Sequence, residues 1–202
     1  MTPERLAKIK AVLAKRTDHL VLVLDNIYDP YNFAAVTRTC EAFGLQDLHI
    51  ITTLEKFALE HKISRGCERW LSFHFWHDYK ECFEALKKEG RKIYGATMAP
   101  VGNLPACALT TLPLDRPLAL VFGNEHRGLS EEALFYCEAT AFFPMYGFVE
   151  SLNISATVAA TLGALMPRLR NEQPQTSLSE ERQKAILAVW LENEPKRTQK
   201  LP

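Results

Sequence analysis

The chain has 202 residues and a mass of 22.9 kDa, with 47% hydrophobic, 24% charged and 10% aromatic residues. This ordinary globular composition excludes a disordered or collagen-like chain, and the length fits one compact domain with short extensions. Basic and acidic residues number 24 each, and this zero net charge argues by itself against a nucleic-acid-binding protein.

The charges are nevertheless unevenly distributed. Residues 1–16 hold five basic groups and one acid, residues 17–167 hold 12 and 18, and residues 168–202 hold seven and five. The neutral total therefore conceals an acidic body with basic ends, an asymmetry that can direct a polyanion to one face. A solvated helix face explains the N-terminal charges equally well.

The sequence lacks the signals of export and of membrane insertion. Its apolar runs are far shorter than the ~20 residues of a membrane span, and the N-terminus lacks the apolar core of a signal peptide. The five cysteines form no CxxC pair and are odd in number. We therefore expect reduced thiols in a cytoplasmic protein, with no disulfide framework, no metal site and no membrane partner.

The predicted elements of the first half begin with a basic amphipathic helix, because Leu6, Ile9 and Leu13 recur at helical spacing. The others follow in order: a buried strand at 20–24, a helix at 33–43 capped by Asn32 and ended by Gly44, a strand at 45–51, a mixed stretch at 54–69, an alternating strand at 70–76, a helix at 78–89 stopped by Gly90, and a strand at 91–97. In the alternating strand region His74 and His77 point to opposite faces, which disfavours a shared metal.

In the second half, a Pro-rich loop precedes the predicted elements. These are a strand at 118–122, a helix at 130–137 capped by Ser130, a strand at 139–143, a long helix at 153–166 closed near Pro167, a linker-like stretch at 171–180, an amphipathic helix at 181–193 with Ile186, Val189 and Trp190 on its apolar face, and a disordered tail. Strands that alternate with helices in this way predict an α/β fold with a largely parallel sheet.

Several common catalytic motifs are missing from the sequence. There is no GxGxxG after the first strand, no GxxxxGK[ST], no GxSxG and no HExxH. These absences disfavour a dinucleotide-binding Rossmann enzyme, a P-loop NTPase, an α/β-hydrolase and a zinc protease.

Three segments carry polar residues beyond what a plain scaffold needs. They are N-F-A-A-V-T-R-T-C-E-A-F-G at 32–44, F-G-N-E-H-R-G-L-S at 122–130 and F-P-M-Y-G-F-V-E-S-L-N-I-S at 143–155. The last two follow strand ends, where open α/β sheets bind ligands, and the third opens a helix whose N–H groups suit a polar ligand. Each also has a structural explanation, as a helix cap, a tight turn or a double cap.

Taken in order, the segments contain N-x-x-A-x-x-R-T, G-x-E-x-x-G and P-M-x-G-x-x-x-S-L-N-x-S. These motifs resemble those of the SpoU (TrmH) branch of the SPOUT methyltransferases, and the resemblance covers nearly the whole chain. The two terminal helices are similar to the flanks of the enzymes that methylate the 2′-oxygen of the D-loop guanosine at tRNA position 18. Ala34 stands where many members have Gly or Ser, and Tyr31 replaces a frequent His.

The resemblance implies a SPOUT-type α/β fold with a deep trefoil knot at about 118–166. It divides the chain into a basic helix at 1–18, a methyltransferase domain at 19–170 and a helical extension at 171–202. It also implies S-adenosyl-L-methionine as cofactor and tRNA as substrate, with no DNA partner. SPOUT relatives dimerise with each site built from both chains, and the apolar Phe33, Val36, Ala160 and Leu165 exceed what one small sheet can cover.

The resemblance also implies roles for individual residues. The cofactor would be held by Thr97, Gly123, Phe143, Met145 and Leu152. Methyl transfer would depend on Arg38, with Asn32, Glu125, Ser151 and Asn153 arranging it. Arg5, Lys8, Lys15 and Arg16 would contact tRNA. A guanidinium is almost wholly protonated at neutral pH, so Arg38 acts either as a base assisted by an RNA phosphate or as a phosphate clamp that polarises the hydroxyl.

Two other functions stay open at this point. One is a SpoU enzyme for ribosomal RNA or for the tRNA wobble nucleotide, which the two flanking helices disfavour. The other is a non-catalytic RNA-binding protein of the same fold. The presence of Arg38, Glu125, Ser151 and Asn153 disfavours it, since RNA binding alone needs no methyl-donor pocket.

Overall fold

Seven parallel strands form a single sheet in the computed structural model, which describes residues 1–53, 66–173 and 175–193. The strands are β1 (Leu20–Asp25), β2 (Asp47–Ile51), β3 (Ser72–Trp76), β4 (Lys92–Ala96), β5 (Ala106–Ala108), β6 (Leu118–Phe122) and β7 (Ala139–Phe142). Their order across the sheet is β3-β2-β1-β6-β4-β7-β5, and all six pairings between neighbours in this order are parallel.

The described residues contain six α-helices. They are α1 (Pro3–Leu13), α2 (Pro30–Phe43), α3 (Tyr79–Lys88), α4 (Glu131–Tyr136), α5 (Ile154–Glu172) and α6 (Glu180–Glu192), with short 3₁₀ turns at Cys67–Trp70 and Leu109–Thr111. The largest core cluster packs α2 and α5 against one face of the sheet, and a second cluster packs α3 and α4 against the other. The fold is therefore the predicted α/β architecture.

The burial of the central strands explains why the sequence predicts them clearly. Every residue of β1 and β6 is buried, and both strands are continuous apolar runs apart from the final Asp25. Strands covered by helices on both faces require such runs, so 118–122 is predicted to the residue. Ser130 caps α4 and Gly44 ends α2 with φ of 84°, as predicted. The short edge strand β5 and the two 3₁₀ turns were not predicted.

Three predicted features are wrong. Asp29, not Asn32, caps α2, because its carboxylate accepts from the Tyr31 amide and leaves Asn32 inside the first turn. Helix α5 continues past Pro167 to Glu172, since burial of Leu169 in the core offsets the backbone hydrogen bond that proline removes. Val189 is 53% exposed, outside the apolar face of α6. Part of the predicted mixed stretch (residues 54–65), part of the linker (residue 174) and the tail from 194 lie outside the described residues.

The two ends of the described chain pack on each other. Ile9 and Leu13 of α1 join Ile186 and Trp190 of α6, together with Leu178, in a separate hydrophobic cluster. Arg16 lies beside it with 1% exposure, donates to the Leu45 carbonyl at 2.7 Å and to Glu41 Oε1 at 2.8 Å, and has its guanidinium 5.4 Å from the centre of the Trp190 ring. The basic N-terminal segment is therefore partly structural.

The apolar residues from which a dimer was inferred are mostly internal. Phe33, Val36 and Leu165 are 4% exposed or less within one chain, so this part of the argument for a homodimer is wrong. The larger faces of α2 and α5 pack against each other and the sheet. Ala160 alone of the four is exposed.

A polar cluster lies on β2 and β3 near α6. His49 is buried, its ring stacks on His74 with 4.5 Å between centroids, and its Nδ1 accepts from Trp76 Nε1 at 3.1 Å. Asp47 binds His74 Nε2 at 2.9 Å and also pairs with Arg182 of α6. Burial, followed by the neighbouring His74, lowers the pKa of His49 from 6.5 to about 3.

This depressed pKa predicts that acid destabilises the protein. Between pH 6.5 and 3 the unfolded chain binds a proton at residue 49 that the folded chain excludes, so stability falls as pH falls. The free energy of unfolding should decrease by about 1.4 kcal/mol per pH unit below 6.5 from this group. Urea unfolding from pH 7.5 to 5 measures the slope. His49→Gln should flatten the dependence of the free energy of unfolding on pH, and His126→Gln, an exposed control, should leave it unchanged. Equal slopes in wild type and both variants would contradict the assignment.

Candidate active site

A cavity of about 670 Å³ opens at the carboxyl ends of β4, β6 and β7. Its wall is formed by the segments that follow these strands, because parallel strands end at the same edge of the sheet. The lining is a mixture of apolar side chains and backbone with a few polar groups, which suits a small amphipathic ligand. All five residues predicted to hold a cofactor line this cavity: Thr97, Gly123, Phe143, Met145 and Leu152.

Gly123 closes one wall by direct backbone contact. A Cβ at this position would lie 2.1 Å from the Gly128 carbonyl carbon and oxygen, so no side chain fits without moving the loop. Residues 124–128 form a tight hairpin in which Asn124 N donates to Gly128 O at 3.0 Å and Gly128 N donates to Asn124 O at 2.8 Å. Gly128 itself has φ of 67°. The two glycines of G-x-E-x-x-G are therefore required for different reasons: Gly123 allows a close approach of two backbone segments, and Gly128 adopts a left-handed backbone conformation.

The hydrogen bonds of Asn32 join the three sequence motifs. Its Nδ2 donates to Glu125 Oε1 at 2.6 Å, and its Oδ1 accepts from Asn153 Nδ2 at 2.9 Å. Asn153 in turn caps α5, since its Oδ1 accepts from the Ser155 amide at 2.9 Å. Segments up to 121 residues apart in sequence therefore meet at one point beside the cavity.

Ser151 and Arg38 differ in their position relative to the cavity. Ser151 is exposed and lines the cavity together with Glu125 and Asn153. Arg38 is exposed on α2 and does not line the cavity of its own chain. It follows Asn32 by six residues, which places it about 240° further around the helix axis. One chain therefore assembles four of the five predicted catalytic residues and leaves Arg38 apart.

The predicted RNA-binding residues are not equivalent. Lys8 and Lys15 are exposed, and Arg5 is partly buried with its guanidinium 5.5 Å from the centre of the Trp70 ring. The prediction for Arg16 is wrong, because its side chain is buried and committed to Leu45 and Glu41. Charge pattern alone cannot separate a buried arginine from its exposed neighbours.

Two further cationic groups escaped sequence reasoning, one beside the N-terminal segment and one at the cavity. Arg170 at the end of α5 is exposed and donates to the Lys15 carbonyl at 3.1 Å, which places it next to the basic N-terminal segment. Arg127 lines the cavity from the tip of the hairpin. The sequence could have indicated this residue, because it occupies one of the unspecified positions inside G-x-E-x-x-G.

The remaining chemical groups of interest have structural partners. All five cysteines are free thiols, and burial raises the pKa of Cys40, Cys82 and Cys137 to about 12. His74 pairs with Asp47, and His77 Nδ1 lies 3.1 Å from the Thr52 carbonyl oxygen. Across residues 1–53, 66–173 and 175–193, no helix combines the length and the apolar character that a bilayer crossing requires.

Comparison with known proteins identifies the family of the chain. The family model described as the SpoU rRNA Methylase family matches residues 19–163, a range that contains all three motifs and the cavity. The chain belongs to this family. The matched range leaves out α1, α6 and the last turns of α5, so these described segments of this SpoU methylase lie outside the range that the family model matches.

Proteins similar to this SpoU methylase match about nine-tenths of the chain or more. The chain is 33% identical over 180 residues to the tRNA (guanosine(18)-2′-O)-methyltransferase of Borreliella burgdorferi, covering 89% of this chain and 81% of that protein. It is 31% identical to the enzyme of the same name from Thermus thermophilus, covering 94% and 97%. The solved structure of the A. aeolicus TrmH/SpoU tRNA modifying enzyme is similar with a TM-score of 0.82 at 28% identity, covering 96% of this chain and 98% of that one.

Proposed function

We propose that this SpoU methylase transfers a methyl group to the 2′-oxygen of the guanosine at position 18 of tRNA. The observation that carries this proposal is the similarity over 89% and 94% of the chain to two proteins named tRNA (guanosine(18)-2′-O)-methyltransferase, and it is supported by the similarity over 96% of the chain to the TrmH/SpoU tRNA modifying enzyme. A structure titled for 2′-OH methylation of C/U34 on tRNA is similar over only 76% of this chain, with a TM-score of 0.62. A 23S rRNA (guanosine-2′-O-)-methyltransferase of Nitrosomonas europaea is 30% identical, but the match covers 60% of its length.

The cavity fits S-adenosyl-L-methionine as the methyl donor. Its wall combines the Gly123 backbone and apolar Phe143, Met145 and Leu152 with polar groups from Thr97. An adenine ring and a sulfonium-bearing chain need such a lining with a few fixed hydrogen-bonding groups. When bound, this cofactor supplies an activated methyl group, so the protein has to position the ribose and remove a proton.

The motif residues can meet both requirements. The bonds from Asn32 to Glu125 and Asn153 fix the orientation of three side chains before substrate arrives, which lowers the cost of organising the transition state. Ser151 is exposed and lines the same cavity. We assign Arg38 the binding of a phosphate next to the target ribose, because a guanidinium donates five N–H groups and accepts none. In that position it polarises the 2′-hydroxyl, and the proton passes to the bound RNA phosphate or to water while the 2′-oxygen takes the methyl group and the sulfonium becomes a neutral thioether.

Residues 118–166 are proposed to form the deep trefoil knot of the SPOUT fold. The sheet order supports this, because β6 lies between β1 and β4, and β7 lies between β4 and β5. The segments after β6 and β7 meet at the cavity, so a knot here would hold the cofactor between loops that cannot separate. We also assign 1–18 to tRNA contact and 19–170 to catalysis, with 171–202 as a C-terminal extension, in a cytoplasmic protein.

A homodimer would complete the site. Arg38 lies outside the cavity of its own chain, so a partner has to supply it if it acts there. Helix α5 presents one exposed face of small residues that allows close helix packing, and the neighbouring loop exposes apolar side chains to solvent. These residues are Ala156, Ala159, Ala160 and Gly163 on the helix and Tyr146, Phe148 and Val149 in the loop.

The dimer has a direct test in solution. Sedimentation equilibrium at micromolar concentration should give about twice the 22.9 kDa of one chain, with an interface that buries more than ~1,200 Å². Ala160→Arg places a charge on the exposed face of α5 and should yield monomers. Ala188→Arg, an equally exposed alanine on α6, should remain dimeric. A wild-type monomer that methylates tRNA would contradict the assignment.

The basic N-terminal helix predicts a salt-dependent contribution to tRNA affinity. Lys8→Ala with Lys15→Ala removes two exposed cations, so the association constant for tRNA should fall. The slope of its logarithm against the logarithm of the salt concentration should flatten by about one for each phosphate that is no longer neutralised. Filter binding from about 50 to 200 mM salt measures this. The exposed Lys80 and Lys88 of α3 serve as the control pair. An unchanged slope in the Lys8/Lys15 variant would reassign those lysines to solvation alone.

The RNA target is tested by mapping. RNA from a strain that lacks the protein should have unmethylated ribose at guanosine 18 of tRNA, and the purified protein should restore it with S-adenosyl-L-methionine. Methylation restored at the wobble nucleotide or in ribosomal RNA would replace the proposed substrate and keep the chemistry. Normal methylation throughout the deletion strain, with cofactor binding absent in the pure protein, would favour a non-catalytic RNA-binding role.

A further inference from the structure

A buried polar cluster lies directly behind the hairpin that carries Glu125. It is built around Asp25 and Asn26, the last residue of β1 and the one after it, which are 2% and 6% exposed. Neither residue lines the cavity, and neither belongs to the three motifs. A buried carboxylate and a buried amide are costly unless they are hydrogen-bonded, so their partners indicate what they do.

Asp25 is held by three donors. Its Oδ1 accepts from Asn26 Nδ2 at 2.9 Å and from Tyr79 Oη at 2.8 Å, and its Oδ2 accepts from the Ser130 backbone amide at 2.8 Å. Burial raises the pKa of Tyr79, which keeps its hydroxyl protonated as a donor to the carboxylate. Ser130 is the cap of α4 and the residue at which the chain leaves the 123–130 loop. Asp25 therefore fixes the exit of that loop.

Asn26 fixes the start of the 123–130 loop. Its carbonyl accepts from Asn124 Nδ2 at 3.1 Å, while Asn124 Oδ1 accepts from the His126 amide at 2.8 Å inside the hairpin. Asn26 has φ of 52°, and in the described ranges it is the one non-glycine residue with positive φ. This conformation costs energy outside glycine. It is stabilised here because the Asn26 side chain donates from Nδ2 to Asp25 and Tyr79 and accepts at Oδ1 from the Thr53 amide.

We propose that Asp25 and Asn26 are positioning residues of the methyltransferase, which hold the 123–130 loop at both ends through Ser130 and Asn124. Gly123 and Glu125 lie beside and between these two anchors, so their positions depend on them. A loop held at both ends keeps the Gly123 backbone against the cofactor cavity and Glu125 Oε1 at hydrogen-bonding distance from Asn32. The inference rests on the proposed function and deepens it, because it names the buried residues that hold the 123–130 loop in position at the site.

Asn124→Asp is the sharpest variant. It retains Oδ1, the acceptor for the His126 amide, and replaces the amide donor to Asn26 with a carboxylate oxygen facing a carbonyl. We expect cofactor binding weaker by about tenfold, and a kcat at saturating cofactor and tRNA lower by about tenfold, because both depend on loop position. Exchange of the His126 and Gly128 amides with solvent deuterium should accelerate. Asn171→Asp makes the same change on exposed helix surface and should alter neither constant.

A merely structural role predicts another pattern. The melting temperature of Asn124→Asp would fall, while cofactor affinity and saturated kcat, measured where the variant is folded, would stay within about twofold of wild type; that result would overturn the proposal. Asp25→Asn is the second variant, since it weakens the Ser130 anchor and leaves Asn124 intact. Calorimetry and hydrogen exchange need no RNA, so they decide this question even if position 18 of tRNA is not the target.

Discussion

Replacing Arg38 with alanine is expected to lower the rate of methyl transfer at least about a hundredfold while cofactor affinity stays near the wild-type value. The reason is that Arg38 lies outside the cavity, whereas the proposed cofactor contacts come from the segments after β4, β6 and β7. Single-turnover methylation at saturating tRNA and cofactor measures the rate, and calorimetry measures the affinity. Arg38→Lys should restore little, because an ammonium cannot reproduce the planar, bidentate geometry of a guanidinium on a phosphate. Stability should change by no more than ~0.5 kcal/mol, since the side chain is exposed.

The same variant tests whether Arg38 acts across a dimer. Mixing Arg38→Ala chains with Gly123→Ala chains forms heterodimers in which one cavity is intact and the other chain still carries Arg38. If each site uses the arginine of the partner, the mixture regains activity that neither variant has alone. If the arginine acts within its own chain, the mixture stays inactive. Near-wild-type turnover in Arg38→Ala by itself would remove the residue from the mechanism.

Gly123→Ala should abolish most cofactor binding. The added Cβ would lie 2.1 Å from the Gly128 backbone and 2.3 Å from the Leu129 amide nitrogen, so the loop has to move to admit it. A displacement of about an ångström at a preorganised site costs on the order of a hundredfold in function. The expected result is the loss of the thermal stabilisation that wild type gains from cofactor, about 2.7 kcal/mol at a hundredfold excess over Kd.

Gly147→Ala is the matched control for this substitution. It lies in the loop between β7 and α5, and a Cβ there meets no heavy atom within 4 Å. Its cofactor-induced stabilisation should equal that of wild type. If Gly123→Ala also kept the full stabilisation, the proposed contact between this backbone and the cofactor would be wrong.

The amino-acid sequence was sufficient to predict the elements whose patterning is enforced by burial. A strand covered on both faces has to be apolar throughout, so β1 and β6 could be predicted directly, and Ser130 and Gly44 marked helix ends through local chemistry. The three motifs predicted the residues around the cavity through their resemblance to the SpoU family, and two of the segments follow strand ends, where parallel sheets bind ligands. The incorrect cap of α2 also has a local cause: Asn32 and Asp29 are both good caps, and spacing does not choose between them.

Tertiary packing was needed to show which of several similar residues meet. Asn32, Glu125 and Asn153 are separated by up to 121 residues, and their hydrogen bonds exist because the segments after β1 and β6 and the start of α5 come together at one edge of the sheet. Arg16 and Lys15 are adjacent cations in sequence, yet Arg16 is buried beside α6 and Lys15 is exposed. Asp25 and Asn26 gave no motif signal because their partners include backbone groups and a tyrosine distant in sequence. Burial and long-range hydrogen bonding depend on how the whole chain packs, and a linear pattern of residues does not contain that information.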